Sequence, residues 1–179
     1  RLLKETEARN AELALINTVQ KALAGELSLQ GVYDAVGNKL REVFPDFGVT
    51  IRRYDAASGL MHFPFVWTHA ERSLGIEARP LVGLGAEVVR TRHTLLIDHD
   101  IDATALRLGS TPILADQRIP RSIVVVPMLI GGEVIGMLDL AHLERERAFA
   151  ESDVRLLETI ASSMGVALEN ARLFDETQR

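Results

Sequence analysis

The sequence contains no cysteine among its 179 residues. This absence excludes disulfide bonds, thiolate metal sites, cysteine nucleophiles and thioether-linked cofactors. Aromatic residues are also scarce, at 5%. No apolar run approaches the ~18 to 20 residues that a membrane-spanning helix needs, and we expect no membrane segment.

Basic residues are not in excess either. The sequence has 20 Lys and Arg and 25 Asp and Glu, which gives a net charge of -5. Without a basic stripe, nucleic acid and anionic membranes are poor candidate partners. The hydrophobic content of 47% is ordinary for one globular domain. The chain begins with Arg1 and shows no signal-peptide pattern. We therefore expect a cytoplasmic piece of a longer protein.

Two helices are predicted at the start of the chain. The first covers 1–24 and ends before Gly25. Its apolar stripe consists of Leu13, Ile16, Val19 and Leu23. The second begins after Ser28, a suitable N-cap, and ends before Pro45. Both show the three-to-four spacing of amphipathic helices.

The period then changes to two, which predicts a hairpin of two strands with a turn at 55–59. Alternate positions of the second strand are apolar and predicted to share one face: Met61, Phe63, Phe65 and Trp67. Pro64 falls on the opposite face and cannot donate to a ladder, so this strand is predicted at a sheet edge.

Residues 70–121 are less regular, with a short helix after Gly85, a short strand at 94–97 and a helical turn at 103–108. A long, loosely patterned segment of this kind often covers a ligand. Two apolar strands follow, at 122–130 and 133–140, joined by a Gly-Gly turn and predicted to be central in the sheet.

Pro127 conflicts with a central strand and predicts a bulge there. A last helix runs from Glu151 to the end. Its heptad-like seam consists of Leu157, Ile160, Met164, Ala167, Ala171 and Phe174. The predicted class is therefore α+β, a central antiparallel sheet of about five to six strands with helices packed on one face and loops and short helices over the other.

A short internal similarity links the two ends, because residues 1–7 and 172–178 are identical at four of seven positions. Arrays of linked domains repeat at a domain-sized period such as this one. A match this short also arises by chance, so both explanations stay open.

The C-terminal third resembles the GAF domain family. Residues 121–128 resemble its Arg-Ser-apolar-strand-Pro signature, and 131–138 resemble the hairpin that follows. Further similarity lies in the exit helix, at Phe149, Asp153, Leu156, Leu157, Ala161, Ala167, Asn170 and Ala171. Upstream, the similar positions are Gly83, Gly85, Val88, Thr91, Ile97 and Asp98, so the resemblance covers about residues 13–174.

This resemblance implies a sheet with helices on one side and a ligand enclosure on the other. It also implies a sensory or dimerising module, mostly in bacterial kinases, cyclases and regulators, rather than an enzyme. The family's bilin binders attach the chromophore through cysteine, and its methionine sulfoxide reductases need catalytic cysteines, which this chain lacks. The Asn-Lys pair of its cyclic-nucleotide binders occurs only at 38–39, in the second predicted helix, so that ligand is unsupported and the cofactor stays unknown.

The predicted ligand-binding residues lie near the irregular middle segment or are those that the family resemblance indicates. They are Trp67, His69, Val88, Arg92, Asp98, Arg121 and Ser122. Arg121 permits two interpretations, an ion pair with a loop carboxylate such as Asp98 or Asp116, or contact with an anion. The five histidines lack ligand spacing, and no metal site is expected.

The helix lengths predict a homodimer. Residues 1–12 and 171–179 are interpreted as incoming and outgoing linker helices around a domain at 13–170. The predicted interface comprises Leu13, Ile16, Leu157, Ile160, Met164, Ala167, Ala171 and Phe174. Two functions remain: a small-molecule sensor that signals to neighbouring kinase, cyclase or GAF-like domains, or a ligand-free dimerising spacer.

Overall fold

The computed structural model describes residues 2–26, 28–68, 70–114 and 117–178. Its helices are α1 (Leu2–Ala24), α2 (Leu29–Val43), α3 (Gly83–Thr91), α4 (Ile101–Leu108) and α5 (Glu151–Gln178). Its strands are β1 (Gly48–Asp55), β2 (Leu60–Thr68), β3 (Glu71–Ser73), β4 (Arg79–Pro80), β5 (Leu95–Ile97), β6 (Ser122–Ile130) and β7 (Glu133–His142). The α+β class is confirmed.

The strands form one seven-stranded sheet in the order β3-β2-β1-β7-β6-β5, with β4 also paired to β2. Every pairing is antiparallel. The sequence predicts only five to six strands. β3 and β4 have three and two residues, which are too few to show the period of two by which a strand is predicted. β6 and β7 are central, as predicted.

The helices divide between the two faces of the sheet. α1, α2 and α5 cover one face, where Val49, Leu140 and Leu157 belong to a single buried cluster. α3 and α4 cover the other face, where Val88 and Ile101 pack with Met137. Because both faces of the sheet are covered, a binding site has room only where the layer that contains α3 and α4 is incomplete.

The N-terminus of α2 is capped as predicted, because the hydroxyl of Ser28 accepts a hydrogen bond from the Gly31 amide at 3.0 Å. This bond satisfies one of the amides that the first helical turn leaves without a partner. It fixes the point at which the chain enters the helix layer.

A bulge in β2 divides the predicted aromatic face. Ile51 of β1 lies opposite Phe65, whereas Arg53 lies opposite His62, so β2 has one more residue than β1 in this interval. The extra residue reverses the side-chain alternation. Phe65 and Trp67 therefore pack toward the helices, and Met61 and Phe63 pack on the opposite face. The prediction of one shared face is wrong.

Pro64 lies within this bulge. β2 pairs with β4 at residues 60–61 and with β3 at residues 66–68, so the proline falls between its two short partners. Its carbonyl accepts hydrogen bonds from Gln30 Nε2 at 3.1 Å and Arg72 Nη2 at 3.2 Å. The predicted edge is thus confined to the residues around Pro64.

Pro127 is accommodated for a related reason. It lies opposite Met137 in the β6–β7 pairing, but β5 pairs with β6 only at residues 123–125. Beyond that point the missing amide takes no hydrogen bond away from β5. The register shift falls between Met128 and Leu129, one residue after the predicted bulge.

α1 and α5 run side by side in the same direction. Arg155 lies 3.7 Å from Glu12 near the start of the contact, and Leu23 and Ala171 line one groove near its end. Residues 2–11 and 172–177 are exposed. The two helices therefore extend beyond the domain at opposite ends. No helix among the described residues is long and apolar enough to cross a membrane.

Candidate functional site

A cavity of about 350 Å³ lies between the sheet and the segment that carries α3 and α4. Its floor includes Thr50, Arg52, Phe63, Ile123, Asp139 and Ala141. Its other walls come from residues 79–85, from α4 and from residues 110–113 and 117–120. The irregular middle segment thus covers a cavity, which agrees with the role predicted for it.

A buried ion pair occupies the cavity floor. Arg52 donates from Nε to Oδ2 of Asp139 at 2.8 Å, and its Nη2 lies 2.7 Å from the same oxygen in an ion pair. The exposed fractions of the two side chains are 16% and 5%. Thr50, directly opposite Asp139 in the β1–β7 pairing, also hydrogen-bonds the carboxylate. Burial raises the pKa of Asp139, against the lowering effects of Arg52 and Thr50.

The alternation of β1 places these groups on the cavity side. Val49 and Ile51 face the helix layer, so Thr50 and Arg52 face the cavity. Asp139 is the one charged residue in the apolar run 134–141. The sequence could have indicated this site, because a carboxylate inside a central strand is predicted to be buried, and a buried charge requires a partner.

The segment above the cavity is held by its own polar groups. Arg79 donates to the carbonyls of Pro112 and Ile113 at 2.7 and 2.9 Å. Gln117 accepts from the Ile113 amide at 2.7 Å, and Ser110 accepts from the Leu84 amide at 3.0 Å. The bonds of Arg79 and Ser110 connect residues far apart in sequence, and together with the local bond of Gln117 they give the irregular segment a defined path over the sheet.

Two guanidinium groups converge on one aromatic ring of the cavity. The guanidinium carbon of Arg52 lies 5.8 Å from the ring centroid of Phe63, and that of Arg79 lies 5.7 Å from it. The cavity wall at this point combines an apolar ring with cationic groups of β1 and β4.

A second depression, of about 560 Å³, adjoins the cavity. Both are lined by Gly48, Thr68, Gln117, Arg118, Pro120 and Ala141. Trp67 lines the second depression only, and the Arg41 guanidinium lies 3.2 Å from its ring centroid. The predicted pocket role of Trp67 therefore applies to this neighbouring depression.

Three predicted ligand residues form contacts away from the cavity. Arg92 pairs with Glu133 at 3.3 Å, and the Asp98 carboxylate contacts the ring of His99 at 2.6 Å. Arg121 pairs with Glu146 at 3.1 Å. This partner is neither of the carboxylates that the sequence suggests for Arg121; Asp116 lies outside the described residues.

The remaining predicted ligand residues are Val88, Ser122 and His69. Val88 is a fully buried residue of α3, and the buried Ser122 hydroxyl donates to the Arg145 carbonyl at 2.8 Å. His69 lies outside the described residues. None of the six described residues lines the main cavity, because proximity in sequence to the middle segment does not determine which strand face a side chain occupies.

Half of the predicted dimer residues are core residues of the subunit itself. Leu157, Ile160, Met164 and Ala171 are 0–3% exposed and belong to the cluster that packs α5 on the sheet. Their seam is therefore occupied within the chain, which corrects the predicted interface. Ile16 and Ala167 are partly buried against the same cluster. Leu13 and Phe174 are exposed, as are Val166 and Leu173 of α5.

The described residues contain no group of three or more His, Asp or Glu side chains that could hold a metal ion. The cavity floor has one carboxylate, which is already bound by an arginine.

An antiparallel sheet between a helical layer and a covered cavity defines a class of α+β modules. A family profile for the GAF domain matches residues 26–169. This chain belongs to the GAF domain family, whose members are sensory and regulatory modules of signalling proteins.

Solved structures of related fold agree. The GAF domain of a phosphoenolpyruvate-protein phosphotransferase from Coxiella burnetii has a TM-score of 0.75 at 17% identity, covering 94% of this chain and 98% of that one. A free methionine-R-sulfoxide reductase from Neisseria meningitidis has a TM-score of 0.72 at 21% identity, covering 90% of each. A fragment of a methyl-accepting chemotaxis protein has a TM-score of 0.74 at 22% identity, covering 87% of this chain and 97% of that one. At these identities the similarity shows the fold.

Proposed function

We propose that this GAF domain is a regulatory module that senses a small molecule in the cavity above β1, β2 and β7. The observation that carries the proposal is the Arg52–Asp139 pair on the cavity floor. A buried ion pair is often no more stabilising than apolar residues of similar volume. A charged pair retained beside a cavity is therefore better explained by ligand recognition than by folding.

The strand that carries Asp139 also offers a route for the signal. Leu138 and Leu140, its immediate neighbours, point to the other face and share a buried cluster with Leu157 and Ile160 of α5. A ligand that displaces Asp139 would move side chains that support the exit helix. Close-packed elements transmit such displacements as small shifts or rotations.

We further propose that two copies associate through the outer surface of α1 and α5. Four large apolar side chains are exposed there, with exposed fractions of 41–55%: Leu13, Val166, Leu173 and Phe174. Exposed apolar clusters on a helix pair are typical of association surfaces. The helices extend past the domain at opposite ends, which suits a module placed between neighbouring domains of one cytoplasmic signalling protein.

The proposal contains no catalytic step. Methionine sulfoxide reductases occur among proteins of similar fold, but this chain has no cysteine. The role supported best is regulatory binding.

The test is native mass spectrometry of the protein purified from its host. We expect a retained small molecule in the wild-type protein and its loss in Ala105→Trp, which fills the cavity from α4. Leu106→Trp is the matched control, because Leu106 is the next residue of α4 and is exposed. If each of the three proteins instead shows only the mass of its own polypeptide, and none releases a small molecule on denaturation, the result would support the ligand-free dimerising spacer.

A further inference from the structure

Among the described residues, the charged side chains that line the cavity do not balance. They comprise three arginines, Arg52, Arg79 and Arg118, and one carboxylate, Asp139. Asp139 is paired with Arg52. No ion pair to Arg79 or Arg118 occurs among the described residues, and Arg79 donates to main-chain carbonyls instead. The enclosure therefore has an excess of positive charge.

This excess has consequences for what the cavity accepts. Arg79 is only partly exposed and lies beside the ring of Phe63, so an anion placed there gains more from it than it would in water. Arg52 adds a donor to the same enclosure, because its bonds to Asp139 engage Nε and Nη2 and leave Nη1 for a ligand.

The volume limits the ligand. An apolar cavity of about 150 Å³ holds one benzene molecule, so a cavity about twice that size suits a ligand of roughly ten to fifteen non-hydrogen atoms. The remaining walls are largely apolar and include Met61, Phe63, Leu84, Ile101 and Ile123. The ligand should accordingly have an apolar body and one charged end.

The geometry favours a carboxylate over a phosphate at that end. Planar guanidinium groups match a planar carboxylate, and those of Arg79 and Arg52 each have N–H groups beyond the contacts that they already make with Pro112, Ile113 and Asp139. Phosphate sites commonly use main-chain amides at a helix N-terminus. At the start of α3, however, the Leu84 amide already donates to the Ser110 hydroxyl.

Resting on the proposed sensing function, we propose that the cavity binds a small organic carboxylate with an aromatic or branched apolar body, and that Arg79 and Arg52 receive its carboxylate beside the Phe63 ring. The anion would complete the charge balance of the cavity, and the apolar body would lie against the sheet.

The experiment compares matched probes by calorimetry. They are 2-naphthoate, its neutral amide 2-naphthamide, and phenyl phosphate, together with the smaller pair benzoate and benzamide. We expect each acid to bind about tenfold or more tightly than its amide and more tightly than phenyl phosphate. Equal or tighter binding of the amides or of the phosphate would overturn the carboxylate assignment while leaving the proposed small-molecule function intact. Failure of every probe to bind at about 1 mM would count against both.

Variants test which side chain is responsible for the preference for acid over amide. In Arg79→Gln the preference for acid over amide should fall to near one, whereas Arg79→Lys should keep part of it. Unchanged amide affinity shows that the cavity of each variant is intact. If Arg79→Gln does not fold, Arg118→Gln takes its place as the test variant, because it breaks no bond to a described residue. It should reduce the preference for acid over amide. Arg9→Gln, on the exposed start of α1, removes the same charge far from the cavity and should leave the preference unchanged. A preference retained in both cavity Gln variants would refute the assignment.

Discussion

The ring of Phe65 on β2 lies against the backbone of Gly37 on α2, where a Cβ atom would come within 2.5 Å of three ring carbons. The guanidinium carbon of Arg72 lies 4.5 Å from the centroid of the same ring. The glycine thus sets the distance between the second helix and the sheet. The close approach is possible only because residue 37 lacks a side chain.

Gly37→Ala should destabilise the domain by about 1 to 3 kcal/mol, because a ring fixed in a packed core cannot move aside without strain. Denaturant titration measures the change in the free energy of unfolding. The matched control is Gly165→Ala on α5, where a Cβ would meet its nearest neighbours at 3.4 Å. There the higher helix propensity of alanine should leave stability unchanged or raise it by up to about 1 kcal/mol. Equal effects at the two positions would contradict this account of Gly37.

The start of α5 has half of a capping box. The Ala150 amide donates to the Asp153 carboxylate at 2.9 Å, but alanine offers no side-chain acceptor in return. Ala150→Ser should supply it and stabilise the domain by about 0.5 to 2 kcal/mol. Thermal unfolding is the measurement, with Ala150→Gly as a control that should gain less. A melting temperature no higher than that of the wild-type protein would show that the serine hydroxyl does not cap the helix.

Removing Arg52 should make stability depend on pH. In Arg52→Met the buried carboxylate of Asp139 loses the group that lowers its pKa, so its pKa in the folded state rises further above the unfolded value of about 3.9. Its protonated form is then favoured by folding. The contribution is present at low pH and is lost as pH rises through the folded pKa. The variant should lose about 3 to 5 kcal/mol at neutral pH and less in acid.

Urea denaturation at several pH values measures this dependence. The double variant Arg52→Met/Asp139→Leu should recover much of the lost stability and its pH dependence should match that of Asp139→Leu alone, because no unpaired charge remains. A loss for Arg52→Met that is constant from acid to neutral pH would show that Asp139 is not the responsible group.

Tyr33 of α2 provides an independent alkaline test. Burial raises its pKa to about 12, against a smaller lowering by Arg53. Because the phenol ionises near 10 when unfolded, its contribution to stability is present below pH 10 and is lost as pH rises toward 12. Relative to Tyr33→Phe, the wild-type protein should lose about 2 to 3 kcal/mol over that interval. Tyr54→Phe is the control, and identical alkaline curves for wild type and Tyr33→Phe would contradict the prediction.

The proposed dimer makes opposite predictions for two faces of α5. Val166→Glu and Phe174→Glu alter exposed side chains and should convert dimer to monomer with little change in melting temperature. Met164→Glu places a charge among fully buried residues and should unfold the domain. Light scattering and circular dichroism distinguish the two results. A wild-type protein that is monomeric at about 50 µM would exclude a dimer of useful affinity.

Most secondary structure could be predicted from the sequence because its causes are local. The stripe from Leu13 to Leu23, the Ser28 cap and the Gly-Gly turn after β6 each depend on neighbours within one or two turns of chain. The resemblance to the GAF family also depends on local sequence, mainly on residues 121–138 and on the exit helix. β3 and β4 were not predicted, because a strand of two or three residues is too short to show a period of two.

The site could not be predicted in the same way. The face that Phe63 occupies depends on a bulge opposite β1, and the pairing of Arg52 with Asp139 joins residues 87 positions apart. The apolar seam of α5 likewise gives no indication of whether Met164 faces its own sheet or a partner. The sequence by itself determined the helices and the longer strands, the family and the absence of thiol chemistry, since each follows from composition or short-range spacing. Only the tertiary structure decided which side chains line the cavity, because strand register and layer packing are set by contacts between distant segments.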